Sequence, residues 1–240
     1  MIKTIHYCWF GKNEKSKLIK KCIKSWKKFC PDYQIIEWNE DNFDINCCKY
    51  VQEAYNAKKW AFVSDVCRFW VLYNYGGIYL DTDVELIKRL DDLPDNFVGF
   101  EKVGVVNSGL IRGAEKGNSI CKEMYDSYLV DSFVKKDGTL NLCTVCDRES
   151  SLLKKYGLKD VNEIQVVEGT TVYPTRFFCP IDMETGKLNI TEDTYSIHRF
   201  AASWESKNKV IRGKVYRFLN RCFGKKIAQF FRKILNKKSK

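Results

Sequence analysis

Two aspartates one residue apart, Asp81 and Asp83, stand where a short apolar stretch, Ile78-Tyr79-Leu80, runs out. Side chains i and i+2 on an extended chain share a face, so the spacing predicts two carboxylates delivered together to the rim of a sheet. Paired carboxylates suit Mg²⁺ or Mn²⁺, which one or two carboxylates usually hold together with the oxygens of a bound phosphate. The chemistry expected is the handling of a nucleoside diphosphate through a divalent metal. Asp-X-Asp triplets also occur in solvated turns. Here a Gly76-Gly77 pair precedes the apolar strand, and alternation resumes at Val84 and Leu86, which sets the acidic pair inside structure.

Three other segments carry chemistry. Asp65 and Arg68 stand three residues apart in an aromatic-rich stretch of helical periodicity and so share a helix face. They read either as a surface ion pair or as a pair in which Asp65 accepts from a sugar hydroxyl and Arg68 orients it or meets phosphate. His198 precedes Ser203-Trp204 in a small-residue segment, where it can serve as a third metal ligand and Ser203 as a phosphate donor. Trp9 and Phe10 end the first apolar stretch, next to His6 and Cys8. An aromatic there can stack on a nucleobase or simply pack in the core. Asn107 interrupts an apolar strand at Asn107-Ser108-Gly109 and can bind a sugar hydroxyl.

The elements that must position these residues alternate. A strand over 2–9, a helix over 15–29 and a strand over 34–38 predict a parallel α/β unit. A polar loop over 39–46 leads to one long helix over 49–74, stopped by Gly76-Gly77. Strands are expected over 97–100 and 105–111, helices over 117–130 and 147–156, a hairpin over 164–173 with its turn at Glu168-Gly169-Thr170, and a last strand over 195–200. Residues 208–235 read as two short basic helices separated by Gly224.

With 240 residues, 45% of them hydrophobic and 14% aromatic, the chain has ample material for one domain and is not disordered. No apolar run reaches the roughly 18 residues of a membrane span. The N-terminal apolar stretch is too short for a signal peptide and has no cleavage site. Eleven cysteines, an odd number in mostly apolar contexts, read as reduced thiols of a cytosolic protein. Cys143 and Cys146 form the one CxxC, without the second pair a zinc site needs. Net charge is +11, yet residues 207–240 hold 13 Lys/Arg and no Asp/Glu, which leaves 28 basic against 30 acidic residues in 1–206. The excess belongs entirely to the tail.

IHYCWFG, DYQIIEWNEDNFD, AKKWAFVSDVCRF, YGGIYLDTDVE, NSGL and HRFAASW, in this order over residues 1–206, resemble family 32 glycosyltransferases. That family, which carries the DXD sugar-binding motif, includes bacterial capsular and exopolysaccharide transferases and is related to the fungal initiating mannosyltransferases. The resemblance implies an α/β fold of GT-A type, a mixed, mostly parallel sheet flanked by helices, over 1–206. It also implies a nucleotide-sugar donor, Mn²⁺ or Mg²⁺, and retention of anomeric configuration. Asp81 and Asp83 would be the DXD pair. Asp65 and Arg68 would match the pair that holds the donor sugar. His198, Ser203 and Trp204 would close over the diphosphate. Arg199 stands where close relatives often carry a second histidine, which leaves it open as a phosphate contact.

The expected reaction moves a hexose, UDP-linked, to a glycan or lipid-linked glycan in surface polysaccharide synthesis. A sugar nucleotidyltransferase is the alternative that shares the architecture, but residues 1–30 lack its glycine-rich phosphate loop. A non-catalytic, membrane-associated assembly subunit is the other. In the tail over 207–240, apolar residues from Ile211 to Leu235 recur at helical spacing among the basic ones. That pattern predicts an amphipathic contact with an anionic membrane at its cytoplasmic face. Nothing in the body resembles a nucleic-acid reader.

Overall fold

A computed structural model describes residues 2–201 and 207–224. In chain order the elements are β1 (Thr4–Cys8), α1 (Lys17–Phe29), β2 (Gln34–Trp38), α2 (Lys49–Asn56), α3 (Trp60–Tyr75), β3 (Gly77–Tyr79), β4 (Val84–Leu86), β5 (Phe97–Lys102), β6 (Val105–Val106), β7 (Arg112–Ala114), α4 (Ser119–Leu129), α5 (Val145–Lys155), β8 (Gln165–Val167), β9 (Thr170–Tyr173), the single turn α6 (Thr175–Phe178), β10 (Ser196–His198) and α7 (Lys207–Phe223).

The main sheet runs β2-β1-β3-β7-β5-β9-β8, with β6 paired to β5. β1 is parallel to β2 and β3; β7 is antiparallel to both β3 and β5; β9 is parallel to β5. Hence β1, β2, β3, β5 and β9 share one direction, and the sheet is mixed and mostly parallel. β4 and β10 form a separate antiparallel pair beside it. Helices cover both faces. On one, Phe62, Val66, Phe69 and Leu72 of α3 pack with Tyr50, Met124 and Tyr128. On the other, Trp26 of α1 packs with Ile5, Ile78, Leu86, Phe97 and Phe178.

The expected long helix over 49–74 is two helices. Lys58 takes φ 56°, its N–H bonds the Tyr55 carbonyl and that of Lys59 bonds Ala54, each at 2.9 Å. This is a Schellman close with lysine in the left-handed position that glycine or asparagine usually occupies, so the sequence carries no visible stop. At the other end of α3 the stop is visible. Gly76 and Gly77 have φ 68° and 99°, and a Cβ on either would stand 2.7–2.8 Å from backbone atoms of Lys116 and Thr4. The tail's first helix, α7, ends at Phe223 before Gly224, as its spacing predicted. Residues 225–240, where a second helix was expected, lie outside the described residues.

Candidate active site

The two aspartates do come together, but not through the pleat of a strand. β3 ends at Tyr79, and Asp81 and Asp83 occupy the turn into β4, closed by the Val84 N–H on the Asp81 carbonyl at 3.1 Å. The turn is pinned from outside, because the Asp81 N–H bonds the Gly109 carbonyl at 2.8 Å. Gly109 is required by this approach. A Cβ there would lie 2.1 Å from Asp81 Oδ2 and 2.9 Å from Asn107 Oδ1.

β10, paired with β4, brings His198 to the same place. One ligand atom from each of Asp81, Asp83 and His198 lies within 4.8 Å of the others. His198 Nε2 meets Asp83 Oδ1 at 3.2 Å, and Asp83 Oδ2 accepts the Ala201 N–H at 2.7 Å. Burial acts to raise the Asp83 carboxyl, but the neighbouring His198 and the Ala201 amide outweigh it and hold the group below the usual carboxylate range. Burial likewise acts to lower His198, and Asp83 outweighs it, so the imidazole is held above its ordinary value. Its other nitrogen, Nδ1, is buried with no hydrogen-bond partner among the described residues. Two carboxylates and an imidazole with a buried orphan nitrogen form a donor set that fits Mn²⁺ or Mg²⁺.

Asp65 and Arg68 of α3 form the adjoining wall. They are 6% and 3% exposed, so their pairing is not the surface contact that was the simpler expectation. Arg68 Nη2 bonds Asp65 Oδ1 at 2.9 Å and Asp81 Oδ1 at 3.3 Å; Nη1 reaches Ser108 Oγ at 3.5 Å. Its guanidinium lies 4.7 Å from the centre of the Tyr79 ring, and the Tyr79 hydroxyl donates to Asp81 at 3.1 Å. Desolvation raises Asp65 to about 6 against the pull of Arg68, with the charge of Asp81 adding to the rise and a backbone N–H at Val145 opposing it. The Asp65–Arg68 wall and the cluster of Asp81, Asp83 and His198 are therefore one bonded unit, joined at Asp81.

The other expected residues fall as follows. Asn107 lies in the turn after β6 instead of a strand. Its Oδ1 accepts the Gly109 N–H at 2.7 Å, and its Nδ2 donates to Glu101 at 2.6 Å. Trp9 lines a cavity of about 310 Å³ with Lys12, Asn13, Lys15, Glu37 and Asn39, beyond the end of β1. Phe10 is a correction: it is buried edge-on against Phe43, so its faces belong to the core and not to a base-stacking surface. Arg199 is committed to Glu85 through Nε at 2.7 Å and Nη2 at 2.5 Å, which removes it as a free phosphate contact. Ser203 and Trp204 lie outside the described residues. His6, the second histidine, is a core residue. Trp38 Nε1, which can only donate, bonds His6 Nδ1 at 3.1 Å, so His6 Nε2–H donates to the Gly76 carbonyl at 2.9 Å.

Tyr79, Ser108 and Glu101 join the site without having been anticipated. A signal existed for Glu101 alone, a carboxylate closing a run of four buried residues in β5. Tyr79 and Ser108 have the look of core and turn residues until the fold folds them onto Arg68.

Parts of the chain are similar to known proteins. Residues 16–98, which hold Asp65, Arg68, Asp81 and Asp83, match the family described as the glycosyltransferase sugar-binding region containing the DXD motif. Over 102 residues the chain is 31% identical to inositol phosphoceramide mannosyltransferase 3 of Schizosaccharomyces pombe, covering 38% of this chain and 26% of that protein. The chain thus spans about a quarter of the length of this curated relative. Among solved structures it is similar to the PaToxG glycosyltransferase, with TM-score 0.50 and 21% identity over 64% of this chain and 68% of the other. That likeness concerns the fold and is consistent with a GT-A-like architecture.

Proposed function

From the premise that the chain carries the sugar-binding region of the DXD-motif glycosyltransferases, we propose that it is a metal-dependent hexosyltransferase using a nucleotide-sugar donor. The observation that carries this reading is the bonded unit Asp65–Arg68–Asp81 beside Asp83 and His198. A divalent cation held there by Asp81, Asp83 and His198 would neutralise the charge that the departing diphosphate gains. Asp65 accepts from donor-sugar hydroxyls, Arg68 fixes the Asp65 carboxylate and Asp81 in one geometry, and Ser108 limits how far the guanidinium can swing. The half-exposed Trp9 ring, beside its cavity, is where the nucleobase would rest.

The finer reading is a UDP-hexose donor, retention of configuration, and a glycan or lipid-linked glycan acceptor in surface polysaccharide synthesis. The tail supports a peripheral position on the cytoplasmic face of an anionic membrane. On α7, Ile211, Val215 and Phe218 are exposed at helical spacing among basic residues. Among the described residues no helix is long and apolar enough to cross a membrane. The test is a thermal-shift screen of nucleotide sugars with Mn²⁺ and with chelator. One class of nucleotide sugar should stabilise the wild type only with the metal. Stabilisation unaffected by chelator, or by Asp83→Ala, would refute the cation assignment.

A further inference from the structure

The strand directions bring a fourth carboxylate to this site. β5 runs the same way as β1 and β3, because β7 is antiparallel to both β3 and β5. Glu101, at the C-terminal end of β5, therefore lies on the sheet edge that carries Trp9 after β1 and Asp81 after β3. Ligands of open α/β sheets bind outside the carboxyl ends of the strands.

Glu101 is half-buried and bonded into the site. Its Oε2 accepts Asn107 Nδ2 at 2.6 Å, Asn107 Oδ1 holds the Gly109 N–H at 2.7 Å, and the Gly109 carbonyl holds the Asp81 N–H at 2.8 Å. An unbroken run of bonds thus links Glu101 to Asp81. Its charge also acts on His198 and on Cys146, and Cys146 in turn feels Asp65 and Arg68. Glu101 is accordingly tied through Asn107 and Gly109 to the cation-ligand cluster, which Asp81 joins to the wall proposed to hold the donor sugar. Asp65 Oδ1 holds Arg68, Arg68 also holds Asp81, and Asn107 is spent on Gly109 and Glu101. Among the described residues Glu101 Oε1 has no hydrogen-bond partner.

An acceptor hydroxyl must reach the anomeric carbon, the atom that joins the sugar to the diphosphate, and so must arrive between these two regions. We propose that Glu101 is the catalytic residue that receives the acceptor hydroxyl, an assignment that rests on the glycosyl-transfer reading. Its carboxylate accepts the hydrogen bond of the hydroxyl. On the face the diphosphate leaves, as retention requires, the hydroxyl oxygen forms the new bond to the anomeric carbon, the bond from that carbon to the diphosphate oxygen breaks with its electron pair leaving on the diphosphate, and the hydroxyl proton passes to Glu101. Asn107 is then a positioning residue that sets the Glu101 rotamer, not a donor-sugar contact.

The experiment compares the full-length wild type with Glu101→Gln, which keeps an oxygen for Asn107, and with Glu101→Asp, which withdraws the carboxylate by one methylene. Three quantities are read with the nucleotide sugar and Mn²⁺ selected by thermal shift: transfer to p-nitrophenyl hexosides, hydrolysis of the donor by water, and stabilisation by donor plus Mn²⁺. Glu101→Gln should lose transfer by about 100-fold or more, and hydrolysis by less than transfer, with donor stabilisation unchanged. Glu101→Asp should fall between the two. Wild-type transfer in Glu101→Gln overturns the assignment. So does a loss of hydrolysis and donor stabilisation equal to the loss of transfer, which would place Glu101 on the donor. A wild type that neither transfers nor hydrolyses any donor overturns the transfer reading itself, and is distinguishable from both.

Discussion

Asp65→Asn separates function from stability in a way few other substitutions here would. Burial raises the Asp65 carboxyl from its ordinary 3.8 to about 6 even with Arg68 bonded to it. At about 1.4 kcal/mol per pH unit, holding Asp65 ionised at pH 7.5 costs the fold about 3 kcal/mol. Asparagine is close in shape to the protonated acid and escapes that cost, while Arg68 keeps Asp81 at 3.3 Å. Asp65→Asn should therefore raise stability at pH 7.5, by up to about 3 kcal/mol, and lower transfer about 100-fold or more with nucleoside-diphosphate affinity little changed. The sign fixes the pH window. A folded-state value above the unfolded one leaves wild-type stability intact below 3.8 and diminishes it as pH rises through about 6, so the gap between the proteins should close near pH 4. His6 acts in the opposite sense, since burial lowers it to about 4 from 6.5 and its contribution is lost as pH falls through that range. It is common to both proteins and cancels in their difference. Urea unfolding in chelator at pH 4 and 7.5 reads the effect directly. A variant less stable than wild type at pH 7.5, or a gap equal at both pH values, refutes the reasoning.

Gly109→Ala places a Cβ 2.1 Å from Asp81 Oδ2 and should abolish Mn²⁺-dependent nucleotide binding, measured by calorimetry, while the far-UV spectrum stays native. Glu149→Gln breaks the wholly buried pair with Arg112, whose 2.8 Å contact leaves Arg112 Nε and Glu149 Oε2 unpartnered. It should cost about 3–5 kcal/mol in urea unfolding, whereas Arg112→Met with Glu149→Leu should recover most of that. The full chain should sediment with anionic liposomes at low salt, and a chain ending at Ser206 should not, yet the shorter chain should keep donor turnover. Loss of turnover would implicate α7, which Asn220 bonds to the Glu184 carbonyl at 2.9 Å.

What could be read in the sequence was whatever has a local cause. β2 was bounded to the residue because Pro31 and the polar loop flank it, and so was the end of α1 at Phe29, whereas its start lies two residues beyond the expected one, at Lys17, where Ser16 caps it with the Ile19 N–H on its hydroxyl at 3.3 Å. Asp65, Arg68, Asp81, Asp83 and His198 were found from type and spacing, and the fold brings all five together. The failures have non-local causes. The break at Lys58 depends on a left-handed residue with no glycine to announce it. Phe10 lies in the core because Phe43 covers it from a loop more than thirty residues on. Glu101 could not be linked to Asp81 in advance, since the link runs through the Asn107–Gly109 turn, whose register depends on β5, β6 and β7 pairing correctly.

The central claim is that Asp81, Asp83 and His198 hold a divalent cation that carries a nucleotide sugar. Nucleoside-diphosphate release from the donor selected by thermal shift, measured with Mn²⁺, with excess chelator, and in Asp83→Ala, tests it most directly. The account predicts release with Mn²⁺, none in chelator with recovery when Mn²⁺ is restored, and a loss of about 100-fold or more in the variant. Release at the wild-type rate in chelator, or in Asp83→Ala, would contradict it.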